Sequence, residues 1–242
     1  MNNKVETDGL HQLLSRFVSR IKKTPYVVDS AIPLKALCFL AFRRLAWLLR
    51  GAAKTLLLQG KPQAVFMGPR VSLSNSWMIK FGKGVTLWRG VSIDGLSRNG
   101  VQLGDNVMIG DFCIIKATSV LCNLGSGFRM GNNSAIGAFS FIGAAGGVKI
   151  GDCVIMGQNV TFHSENHHYE SLVRPIKDQG TTHVGIVIED DCWVGAKVTF
   201  LDGAHVGTGC VIGAGAVVTG HIPAYSVAVG IPARVIRNRK EG

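Results

Sequence analysis

Between Phe162 and Ile188 the chain reads HSENHHYESLVRPIKDQGTTHVGIV, a segment holding His163, His167, His168 and His183, four of its seven histidines. Glu165, Glu170, Arg174, Lys177 and Asp178 lie among them. An imidazole ordinarily titrates near neutral pH, so one of these rings could act as a general base on a hydroxyl. Two other readings stay open. His163 and His167, four apart, could join a carboxylate on zinc if the segment were helical, although Pro175 and the polar composition disfavour a helix. An exposed histidine tract with no role is the third. Nothing suggests a covalent route: Cys153 and Cys192 fall in repeat strands, and no serine stands in a nucleophile-elbow setting. Direct attack by a deprotonated acceptor on a bound thioester suits this inventory better.

The elements that must position this segment announce themselves by a six-residue period. Phe81, Leu87 and Ile93 begin it, followed by Leu103, Ile109, Ile115 and Leu121. Met130, Ile136 and Ile142 come next, then Ile150, Met156 and Phe162. The longest run is Ile188, Val194, Phe200, Val206, Ile212 and Val218, and glycine follows many of these positions. Six fits neither a helical turn nor a lone alternating strand. It fits short strands joined by tight corners, with one side chain per unit entering a central stack. Such units bury their apolar side only by stacking, so an all-β parallel β-helix with three hexads, roughly 18 residues, per coil is expected. The gap from Phe162 to Ile188 then marks a loop, 163–185, ejected from the body, and loops on rigid scaffolds are frequent sites of chemistry.

The chain has 242 residues and a formal net charge of +11. Eleven Lys/Arg against three Asp/Glu fall in residues 1–62, fifteen against twelve in the rest. Residues 1–62 therefore read as a basic, mainly α-helical extension, and residues 63–242 as the coil domain. The near-neutral coils are a poor nucleic-acid groove, and no nucleic-acid partner is expected. Residues 11–23 place Leu13, Leu14, Phe17, Val18 and Ile21 on one helical side, and Pro33 to Leu58 is greasier but broken by Arg43, Arg44, Arg50 and Lys54. Those charges disfavour a membrane span. The extension either covers a β-helix end or subunit interface, or lies through residues 11–58 on an anionic membrane surface. Four of the six cysteines, 113, 153, 192 and 210, read as buried free thiols in apolar runs. With no secretory signal visible, a cytoplasmic location is expected, with peripheral contact at the inner face of the membrane.

Over roughly residues 68–238 the hexads, the histidine loop and DDCWVGAKVTFLDGAHVGTGCVIGAGAVVTGHIPAYSVAVGIPARVIR resemble the hexapeptide-repeat acyltransferases. The resemblance is strongest to the sugar O-acetyltransferases of the galactoside, maltose, nodulation and surface-polysaccharide type. It implies a left-handed β-helix, a homotrimer with active sites between subunits, acetyl-CoA as donor, a carbohydrate acceptor and no metal. The family's Ser-His-Asn-His run appears here as Ser164-Glu165-Asn166-His167, so the resemblance makes His167 the catalytic base, with His168 the competing candidate and His163 a third, and leaves Glu165 where relatives carry histidine. It likewise implies coenzyme contacts at Trp193, Gly195, Ala196, Ala214, Thr219 and Arg234. A serine or amino-sugar acetyltransferase, and a non-catalytic or metal-binding β-helix scaffold, are the alternatives.

Overall fold

Each hexad folds as a two- or three-residue strand followed by a corner, and the chain winds these into coils with three faces. The computed structural model describes residues 27–118 and 120–241, with Gln12, Ser15, Arg16 and Ser19. The helix expected over 11–23 otherwise lies outside the described residues. The first face has nine strands, from Phe66–Met67 to Arg234–Asn238. The second has seven, from Ser72–Ser74 to Val217–Val218, and the third seven, from Ile79–Phe81 to His221–Ile222. Within each face, strands of successive coils pair in parallel, as Phe162 with Phe200 and Phe200 with Val218. The last strand turns back antiparallel on Ser226–Val229. The architecture is the expected left-handed parallel β-helix of hexapeptide repeats.

The stack is built from two inward positions per hexad, where the spacing alone suggested one. Leu87, Ile93, Ile109, Phe162, Val194 and Phe200 are fully buried, and so are the smaller residues two positions earlier, such as Val85, Val91, Val107, Val160, Cys192 and Val198. Pairing a large with a small residue keeps the interior filled across a narrow coil. Where the small residue is polar it is satisfied: the Ser134 hydroxyl donates to Gly151 O at 2.8 Å and accepts from Val154 N at 2.9 Å. Two expected members depart from the stack. Phe81 is only half-buried, and Leu121 is 86% exposed because the chain leaves the coil after Ala117 and re-enters at Phe128.

Coil length also varies more than the simple period suggests. Trp193 pairs with Val211, 18 residues on, whereas Met108 pairs with Ala135, 27 residues on. The difference is taken up at corners and never in strands, so the register holds.

Residues up to Ala46 and from Trp47 form two compact units. The basic apolar stretch forms α1 (Leu34–Gln59). From Trp47 onward α1 lies against the first coil, whose carbonyls have no preceding coil to bond them. Arg50 Nη1 donates to Met67 O at 2.9 Å, Lys54 Nζ donates to Val71 O, and Gln59 Nε2 donates to Ser76 O at 2.6 Å and Ile79 O at 3.0 Å. Gly51 lets the helix approach: a Cβ there would lie 1.8 Å from Val65 O. The helix thus closes an edge that would otherwise invite another strand. In the unit before Trp47, Phe39 and Phe42 of α1 are exposed. No helix among the described residues is long and apolar enough to cross a membrane.

The cysteines divide differently from expectation. Cys113, Cys192 and Cys210 are buried, and desolvation pushes the first two thiols up to about 11. Cys153 is exposed, because it occupies a left-handed corner residue (φ 58°) and not a strand.

Candidate functional site

The loop leaves the second face after Thr161–His163 and returns to the third at Ile186–Ile188. Buried polar side chains anchor both ends. At the exit, Ser164 Oγ donates to Gly143 O at 2.8 Å and accepts from Gly146 N at 3.0 Å. At the return, the Asp202 carboxylate, on the next coil, accepts from Gly185 N at 2.7 Å, Val184 N at 3.1 Å and Thr182 Oγ1 at 3.3 Å. Between the anchors Asn166–His167 pairs antiparallel with Thr181–Thr182. Gln179 ties the outer part together, accepting from Ser171 N and donating to the carbonyls of Ser171 and Arg174. The loop is therefore a built element, held by side chains where the coils are held by burial.

His167 sits on that short ribbon, exposed, and its ring has no hydrogen-bond partner among the described residues. His168 follows, its Nδ1 3.9 Å from Glu170 and its backbone N–H donating to Gly180 O at 3.0 Å. His163 is exposed beside Phe141, the ring centroids 5.9 Å apart. His183 is the best-connected ring. Its Nε2 lies 2.7 Å from Thr181 Oγ1, 3.3 Å from Asn123 Nδ2 and 3.6 Å from Glu165 Oε2. The Glu165 carboxylate thus faces a histidine eighteen residues further on. Sequence reading placed His183 in the loop but did not couple it to Glu165, and it passed over Asn123 and Asp202. The signal for Asp202 was an acid inside an otherwise apolar hexad, Leu201-Asp202-Gly203.

The expected coenzyme residues fall in two groups. Trp193, 56% exposed, points out from the first face, and Gly195 and Ala196 follow at the corner between first and second faces. Ala214 occupies the same corner one coil later: a Cβ on Gly195 would lie 2.5 Å from Ala214 N. This corner is stripped of side-chain bulk, so a thin ligand can reach backbone amides there. Thr219 lies on the corner between second and third faces, below the histidine loop, and Arg234 lies on the last first-face strand, its Nη1 donating to Ala233 O at 2.9 Å. The histidine loop and the Ala196–Ala214 row therefore occupy different corners of one chain. Among the described residues, no group of three or more His, Cys, Asp or Glu could hold a metal ion.

Residues 185–220 match the family model described as bacterial transferase hexapeptide, six repeats. A probable acetyltransferase of Mycobacterium tuberculosis is 36% identical over 172 residues, 71% of this chain and 55% of that protein. The galactoside O-acetyltransferase of Escherichia coli is 39% identical over 90 residues, 37% of this chain and 43% of that enzyme. The chain thus spans about half the length of these two relatives. Among solved structures, a hexapeptide-repeat acetyltransferase of Vibrio cholerae complexed with acetyl coenzyme A is 26% identical, with a TM-score of 0.48, covering 56% of this chain and 69% of that one. Repeat period, coil register and matched residues together support a hexapeptide-repeat fold for this chain.

Proposed function

We propose that the chain moves an acetyl group from acetyl-CoA to a sugar hydroxyl, in the assembly of a surface polysaccharide such as capsule, lipopolysaccharide or exopolysaccharide. The observation that carries this reading is an anchored histidine loop on a β-helix whose neighbouring corner is stripped to glycine and alanine at Gly195, Ala196 and Ala214. His167 takes the hydroxyl proton, and the oxygen attacks the thioester carbonyl. A backbone amide of the bare corner holds the tetrahedral oxyanion, and collapse expels the thiolate, which recovers the proton from the imidazolium. Thr219 and Arg234 meet the coenzyme phosphates, Arg234 with its fork of donors.

Because loop and row lie on different corners, a site using both draws them from two copies, and we read the protein as a homotrimer. Outward apolar residues at Met108, Ile114, Ile155 and Trp193, beside stacked Phe112 and Phe139 (5.5 Å), give such contacts a surface. The exposed apolar and basic side chains of α1 suit peripheral contact with an anionic membrane. Retained sedimentation with anionic vesicles after deletion of residues 1–60 would sink that contact.

Thiol release from acetyl-CoA, measured against a panel of sugars, nucleotide sugars, lipid-linked glycans, serine and amino sugars, tests the activity. Release with a hydroxyl acceptor is expected, and release only with amines would overturn the proposed acceptor class. His167→Ala should slow turnover by about 10²–10⁴-fold with the oligomer intact. One second reading is favoured by its contacts: Glu165 and Thr181 orient His183, which makes it the rival base. A His183→Ala enzyme that loses turnover while His167→Ala keeps it would decide for the rival.

A further inference from the structure

The outward side of the third face differs from the other two. Its strands place Lys80, Gln102, Arg129 and Lys149 in one column: Lys80 opposite Gln102, Gln102 opposite Arg129, and Arg129 opposite Lys149. Two cations in register on adjacent strands repel one another. Among the described residues, neither Arg129 nor Lys149 forms an ion pair with a carboxylate. The carboxylates at the end of these strands are engaged elsewhere. Asp105 accepts from Lys83 N, Asp152 from Asn132 N and Asp190 from Asp152 N. Glu189 is taken by His205 and Thr208.

The same two cations line a cleft. Asn99, Gln102, Arg129 and Lys149 form part of its wall, and Val184 and Val187, where the histidine loop rejoins the body, form another part. Asn99 is held in place by its Nδ2 bond to Ser126 O at 2.9 Å. The pair thus lies in a concavity that runs up to the return of the loop, one residue from His183.

We propose that this cleft is an oxyanion site, in which Arg129 and Lys149 hold a phosphate or carboxylate group carried by the acceptor. The guanidinium supplies a planar fork and the ammonium a mobile point charge, a pairing suited to an oxyanion. The acceptor assignment rests on the transferase reading; the anion site itself does not. An acceptor anchored here by its charged group directs the remainder of the sugar toward the loop. The acceptor class is accordingly an anionic glycan or a glycosyl phosphate, not a neutral free sugar.

The test titrates the full-length protein, saturated with CoA so that the coenzyme end is occupied, with inorganic pyrophosphate and separately with glucuronate, by calorimetry. At least one probe should bind, and its identity assigns the source as phosphate or carboxylate. Binding should weaken about tenfold for each charge removed in Arg129→Gln and Lys149→Gln, and should fall with added salt. Lys61→Gln, at an exposed cation outside the cleft, should leave it unchanged. No binding of either probe, undiminished binding to the double variant, or loss in Lys61→Gln instead, would each overturn the site. A failure of CoA itself to bind would count against the transferase reading, while the probe titration repeated on the free protein would still decide the anion site. Both substitutions are on exposed outward positions, and an unchanged melting temperature of each variant verifies that the fold is intact.

Discussion

Inside the coils Phe162 and Phe200 stack at 4.8 Å, fully buried, with no polar group needed to hold them. A few residues along the chain from Phe162, the histidine loop is held almost entirely by polar side chains: Ser164 at its exit, Asp202 at its return, Gln179 across its outer part. The two regions are stabilised by different forces, so they should fail separately. Burial is shared among stacked neighbours, and damage to it spreads through the body. A polar anchor acts on a few amides, and its loss stays local.

The largest effect is expected in the stack. Phe200→Ala removes a ring that lies between Phe162 and Val218 on successive coils and should cost about 3–5 kcal/mol. Urea denaturation of the variant measures this. A loss well below that range, with the fold retained, would mean that the coils collapse around the cavity and that the interior is softer than its packing implies.

A smaller effect, confined to the loop, is expected from Asp202→Ala. Val184 N, Gly185 N and Thr182 Oγ1 lose their acceptor together, a cost of about 1–3 kcal/mol. Hydrogen exchange should accelerate at Val184 and Gly185 and leave the amides of the Phe200 strand as they were. Acceleration throughout the body would show that the loop and coils form one cooperative unit, and the contrast drawn above would fail.

What could be read in advance divides along the same line. Burial repeats, so a single chain displays it many times: Ile188 to Val218 gives the strands, the inward residues and, through the one long interruption, the place of the loop. The reading fails where spacing is right and geometry is not. Leu121 stands six residues after Ile115, yet Thr118 and Gly125 close a short excursion there, with Gly125 N donating to Thr118 Oγ1 at 3.1 Å. Cys153 sits in an apolar run but at a left-handed corner, so it faces outward. In the loop each polar contact occurs once. Glu165 meets His183 only because the loop doubles back on Asn166–His167, and His183 meets Asn123 through an insertion of an earlier coil. No period foretells such a contact. The column of Lys80, Arg129 and Lys149 was likewise invisible, because insertions of different length separate residues that the coils bring into register.

The smallest effect tests whether the outside of the coils behaves like their interior or like the loop. Glu189 receives Thr208 Oγ1 at 2.8 Å, Thr208 N at 2.9 Å and His205 Nε2 at 2.9 Å. These bonds, those from the Thr208 side chain foremost, hold its carboxyl below the ordinary value of 4.5. A depressed folded value means that the folded state binds the proton less tightly than the unfolded chain. The stabilisation is therefore complete above the unfolded value and disappears as pH falls through the folded one. Exposure to solvent limits it to about 0.5 kcal/mol. Glu189→Gln should accordingly be slightly less stable than the parent at pH 7, and the gap should close as the pH drops below 4.5. Paired urea titrations at the two ends of that range measure the difference between differences. A gap that stays constant with pH would assign the effect to the shape of the side chain, and the coil exterior would then resemble the packed interior more than the hydrogen-bonded loop.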